Sequence, residues 1–139
     1  MVTSKIFSYL IYFIAIIPLI SFSTSAKLIF KNDSDKTIFL KVVKINIDKL
    51  DKSVKEIRIS KTQRMEIHLL ASGRYQLFIK VKEFGKESIF KKSEKFQVYT
   101  GVDGNSINEF RFKQDDIYRK DTFLKSTKEE FERLTKGIK

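Results

Sequence analysis

The chain is predicted to fold as an all-β, antiparallel sandwich of about seven short strands, closed by a short C-terminal helix. Three observations carry this expectation. Apolar and polar residues alternate from Lys27 to about Lys113, the period of half-buried strands. Turn-forming residues recur about every 8 to 12 positions, as in sandwiches. A helical period appears only after Lys113.

In chain order, Leu28 and Phe30 lead into Asn32-Asp33-Ser34-Asp35, whose short polar side chains bond their own backbone and favour a turn. Ile38, Leu40 and Val42 share one face, whereas Ile45 and Ile47 fall on the other parity. A bulge near Val42-Val43 would reconcile them. After a run at Val54 to Ile59, Met65, Ile67 and Leu69 alternate with Arg64, Glu66 and His68. Tyr75, Leu77, Ile79 and Val81 alternate next, and Ser72-Gly73 between these two runs predicts that they form a hairpin. Shorter runs follow at Ser88 to Lys91, Phe96 to Tyr99 and Ile107 to Phe112. Gly101-Val102-Asp103-Gly104-Asn105 joins the last two with a tight-turn signal. This spacing is that of an immunoglobulin-like sandwich, without the Cys and Trp landmarks of immunoglobulin domains proper.

Near the C-terminus, Ser126-Thr127-Lys128-Glu129 reads as a capping box, with Ser126 as the N-cap. Phe131, Leu134 and Ile138 then lie along one side, and Gly137 suits a helix stop. Phe39 and Phe78 sit opposite the main apolar runs of their strands, on what should be a polar outer face. Phe131 and Leu134 are therefore the candidate helix contact: they need an apolar surface, and Phe39 and Phe78 supply one. The alternative is an amphipathic helix that faces a partner.

The N-terminal residues have a different character. Met1 to Lys5 hold one cation, Ile6 to Ile20 are almost wholly apolar, and Ser21 to Ala26 are mostly small. These are the three regions of a secretory signal. Cleavage is expected after Ala26, or nearly as well after Ser25; an uncleaved anchor is the alternative, because Ile6 to Phe22 is at the short edge of what spans a bilayer. The expected organisation is a signal peptide at 1–26, a sandwich at 27–113, and a connector with its amphipathic helix at 114–139. The location is periplasmic, envelope-associated or extracellular.

Composition excludes several chemistries. The chain has 139 residues with no Cys, no Trp and one His. Absence of Cys removes disulfides, thiolate zinc sites, iron–sulfur clusters and cysteine nucleophiles. His68 alone could move protons near neutral pH, and its parity turns it to solvent. No G-x-S-x-G motif accompanies it. The carboxylate pairs Asp115-Asp116, Glu129-Glu130 and Asp48 with Asp51 lie among lysines and read as solvated charge. Asp103-Gly104-Asn105 lacks the remaining ligands of a calcium loop. Asn32-Asp33-Ser34 matches a glycosylation sequon in a turn. No enzymatic activity, cofactor or metal is expected.

The basic excess is the main functional signal. The chain holds 28 Lys or Arg against 17 Asp or Glu, a net charge of +11. Eight cations against three anions fall between Lys41 and Arg64, and six against three between Lys80 and Lys95. Lys49, Lys52, Lys55, Arg58, Lys61 and Arg64 are the candidate residues for an anionic partner. An exported protein rarely meets chromosomal DNA, so no nucleic acid is expected. The function expected is a non-enzymatic binding module, an accessory subunit of a cell-envelope or extracellular complex, with a protein partner of acidic character. The alternative is a basic-surface binder of anionic lipid or polysaccharide.

Overall fold

The computed structural model describes residues 25–46, 52–69, 71–119 and 122–135. The apolar segment Ile6 to Ile20, Ile47, Lys49, Asp48, Asp51, Gly137 and Ile138 lie outside the described residues. Among those described, no helix is long and apolar enough to cross a membrane.

The described residues are mostly β, with one short α-helix. It runs through β1 (Ala26–Asp33), β2 (Ile38–Lys44), β3 (Lys52–Ile59), β4 (Arg64–Leu69), β5 (Gly73–Val81), β6 (Ile89–Lys92), β7 (Phe96–Val98), β8 (Thr100–Gly101), β9 (Gly104–Asn105) and β10 (Ile107–Lys113). A 3-10 turn at Gln114–Ile117, β11 (Leu124–Lys125) and helix α1 (Lys128–Thr135) complete it. The larger sheet has the order β11-β6-β5-β2-β3, with β7 continuing β6 along the same side of β5; the smaller is β10-β1-β4. β8 and β9 form a small hairpin whose tip is Val102-Asp103.

One apolar core lies between the sheets. Leu28, Phe30, Ile67, Leu69 and Phe112 of the smaller sheet meet Ile38, Leu40, Val42, Tyr75, Leu77, Ile79 and Val81 of the larger. Aromatic rings bridge the two layers: Tyr75 and Phe96 have centroids 6.2 Å apart, and Phe96 and Phe110 4.9 Å. Burial raises the pKa of Tyr75, whose hydroxyl donates to the Ala71 carbonyl at 2.7 Å. The segment after β10 belongs to the same body, because Ile117 and Phe123 enter this core and β11 pairs with β6. At the other end of the chain, β1 opens at Ala26, which is fully buried opposite Leu69.

Several local expectations are corrected. The runs at β4 and β5 are not a hairpin: β4 pairs with β1 and β5 with β2, so the Ser72-Gly73 turn crosses between the sheets. Alternation and a turn signal look the same for a hairpin and for such an arch. The sandwich is also not wholly antiparallel, since β1 and β10 run parallel from Lys27 opposite Ile107 to Asp33 opposite Lys113. β10 is reached by a crossing from the larger sheet, which sets its direction. With the seven principal strands lettered A to G, the pairing is G-A-D against C-B-E-F, whereas immunoglobulin domains pair A-B-E-D against C-F-G.

A register shift does occur at Val42/Val43, but the extra residue is in β3. Pairing passes from Val42–Lys55 to Val43–Ser53 and skips Val54, while β2 keeps an unbroken register with β5. Val43 and Ile45 are apolar on the second parity because that face is covered too. There Val43 and Phe78 pack with Phe131 and Leu134 of α1, and Phe39, Ile45 and Phe90 border the cluster. The N-cap lies one residue later than the sequence suggests. Thr127 Oγ1 accepts from the Glu130 amide at 3.1 Å, and Ser126 instead donates its hydroxyl to the Glu130 carboxylate at 2.8 Å.

Candidate functional site

The outer face of the larger sheet is built in rows across its strands. In one row, Arg58, Phe39, Lys80 and Phe90 are successive cross-strand neighbours on β3, β2, β5 and β6. In the next, Glu56, Lys41, Phe78 and Lys92 stand side by side. Helix α1 covers this second row and leaves much of the first open.

Charges in the covered row are paired. Lys41 is buried, and its Nζ donates to the Phe131 carbonyl at 2.7 Å, sits 3.4 Å from Glu56, and lies 3.9 Å from the Phe131 ring centroid. Burial lowers its pKa, partly offset by Glu56. Lys92 meets Glu130 at 3.1 Å. Burial pushes the Glu130 carboxyl up, but bonds from Ser126 and Lys92 outweigh this and hold it below the ordinary glutamate value.

Charges in the open row have no ion pair among the described residues. Arg58 is exposed there and Lys80 half-buried. Lys80 Nζ lies 5.8 Å from the centroid of the half-buried Phe39 ring, within cation–π range. A cavity of about 320 Å³ opens here, walled by Phe39, Lys41, Glu56, Arg58, Lys80 and Phe131. A second, of about 490 Å³, shares Phe39 and Arg58 and adds Lys36, Lys82, Asp35 and Phe84. Lys80 and Phe90 also border a wider groove of about 910 Å³ that reaches Ser126 and Lys128 at the start of α1.

The basic residues singled out in the sequence do not gather in one place. Arg58 is on the open row. Lys55 is exposed opposite Val42, Lys61 lies in the turn after β3, and Arg64 opens β4 in the other sheet. Lys52 begins β3 opposite Lys44, and Lys49 is outside the described residues. Phe131 and Leu134 face the sheet. Lys80 and Phe39 are neighbours that sequence reasoning left apart, because register across three strands has no local signal.

Other candidates have structural roles. Asn32 is fully buried: its Nδ2 donates to the carbonyls of Lys36, Ile59 and Ser60, and its Oδ1 accepts from the Ser34 amide and hydroxyl. The folded sequon is therefore a pin joining the turn after β1 to the end of β3, closed to a glycan. Asp116 is buried and caps the 3-10 turn by accepting the Lys113 amide at 2.7 Å. Asn105 Oδ1 is turned inward on the hairpin, accepting from Gly101. His68 is exposed on β4 with Nδ1 3.2 Å from Ser25 Oγ, and no carboxylate orients it among the described residues. Those residues also contain no group of three His, Cys, Asp or Glu able to hold a metal ion. Comparison of the chain with protein-family models, with curated proteins and with solved structures finds no match.

Proposed function

We propose that the chain is an exported, non-enzymatic binding module, an accessory subunit of a cell-envelope or extracellular complex, whose partner is an acidic protein. The scaffold is immunoglobulin-like in its layering only. The observation that supports the reading is the row Arg58–Phe39–Lys80, in which two cations without counter-ions among the described residues flank an accessible aromatic ring. Unpaired cations raise the association rate of an anionic partner, and a desolvated aromatic contact slows its release. The test is cross-linking in the native cells, capture of this protein, and mass spectrometry of what accompanies it and of its own N-terminal peptide. One dominant protein, captured through the larger sheet, supports the reading; recovery of lipid or glycan alone sets it aside. Association with the captured protein should be slower in Arg58→Glu with Lys80→Glu and should weaken with salt.

A second reading, an anionic lipid surface, is favoured by one different feature. Phe84 is fully exposed on the loop between β5 and β6, in the run Lys82-Glu83-Phe84-Gly85-Lys86-Glu87. The chain has no Trp, so Phe84→Trp gives a single-site reporter. A blue shift of its emission on vesicles containing phosphatidylglycerol, absent on neutral vesicles, would support this reading over the first.

A further inference from the structure

We infer that the Arg58–Phe39–Lys80 row seats an extended acidic segment of the partner, with one apolar side chain over Phe39 and a carboxylate on either side of it. The inference rests on the reading that the partner is a protein. Its basis is the way charge is sorted on one sheet face. Where α1 covers the face, each cation has a carboxylate: Lys41 has Glu56 and Lys92 has Glu130. One row away, where α1 does not reach, Arg58 and Lys80 have none among the described residues. The covered row carries its counter-ions within the chain, and the open row is complementary to counter-ions brought from outside.

Spacing on the sheet accommodates an extended ligand. Arg58 and Lys80 stand on strands two apart, about 10 Å between backbones at the usual strand separation. In an extended segment, residues facing one way recur about every 6.7 Å, so acids at i and i+4 bracket an apolar residue at i+2. Long Arg and Lys side chains absorb the remaining few ångströms. Acids one turn apart on a helix, about 5 to 6 Å, would not reach both cations. A pair two turns apart would span about 10.5 Å, so the probe is kept too short to be helical. The 320 Å³ cavity between Phe39 and Phe131 has room for the central side chain. A flat bilayer meets protruding groups first, whereas Phe39 and Lys80 are both half-buried.

The probe is the peptide acetyl-Ser-Glu-Ser-Leu-Ser-Glu-Ser-amide, titrated into the ¹⁵N-labelled exported protein and followed by amide shifts. Expected shifts centre on residues 38–41, 57–59 and 79–81. Affinity should fall at least tenfold when the central Leu of the peptide is replaced by Ser, and at least tenfold in Arg58→Glu with Lys80→Glu. Unchanged amides in the core serve as the folding control, and Arg58→Gln alone carries the test if the double variant does not fold. Equal affinity for the Ser peptide, shifts scattered over all basic segments, or no shift at millimolar peptide would overturn the inference. So would shifts of these same amides on phosphatidylglycerol vesicles with none on peptide. Cross-linking separates this from failure of the broader reading. If wild type and the double variant capture the same partner equally, only the site is wrong; if wild type captures no protein, the protein-partner reading itself falls.

Discussion

The two faces of β2 and β5 bury side chains in different ways. Inward, Ile38, Leu40, Val42, Tyr75, Leu77, Ile79 and Val81 meet a second sheet in a core that is almost wholly apolar. Outward, Phe39, Val43 and Phe78 alternate with Lys41, Gln76 and Lys80, and the cover is a helix of eight residues. It is held partly by the Lys92–Glu130 ion pair and the hydrogen bond from Lys41 to the Phe131 carbonyl. A helix that short is marginal on its own, so its persistence depends on the sheet beneath it. The inner layer sets whether the chain folds, and the outer layer sets how much of the basic, aromatic surface is open.

This contrast can be broken at chosen points. Leu77→Ala, at a fully buried inner site, is expected to cost about 3 to 4 kcal/mol and to lower the midpoint of global denaturant unfolding. Asn32→Ala strands the carbonyls it holds at the end of the inner layer and is expected to cost about 2 to 3 kcal/mol in the same measurement. Leu134→Ala should cost about 2 kcal/mol, and hydrogen exchange should show it as faster exchange confined to residues 128–135, with β5 still protected. Loss of protection in β5 to the same degree would mean that the two layers are one cooperative unit.

The smallest effect is the response to acid. The Glu130 carboxyl titrates below its ordinary value in the fold, so its contribution is present above the unfolded glutamate pKa and is lost as pH falls through the folded one. Helix amides should therefore exchange faster, relative to their intrinsic rates, on acidification below about pH 4.5. Glu130→Gln should flatten that dependence, and an unchanged profile in this variant would locate the acid response elsewhere.

Most of the strands could be read in the sequence, because burial against one layer imposes a period of two on residues such as Tyr75, Leu77, Ile79 and Val81. The apolar positions that break this period were legible as well: Phe39 and Phe78 marked a second covered surface. Pairing was not legible. Ser72-Gly73 states that the chain turns but not whether it returns to the same sheet, and nothing local announces that β10 lies beside β1. The candidate site was hidden for the same reason. Arg58, Phe39 and Lys80 come from three segments, and the dense run of cations from Lys41 to Arg64 drew attention to residues that the fold sends to both sheets and the turn between them.

The parallel pairing of β1 with β10 bears on how the chain is made. A polypeptide synthesised from its N-terminus has β1 and β4 available early, but the third strand of the smaller sheet emerges only after β5 to β9. Until residues 107–113 are free, one edge of β1 has no neighbour and the aromatic bridge from Phe96 to Phe110 cannot close. Such distant closure slows folding. A chain passing through a narrow channel in N-to-C order would thus complete its smaller sheet only after β10 had crossed.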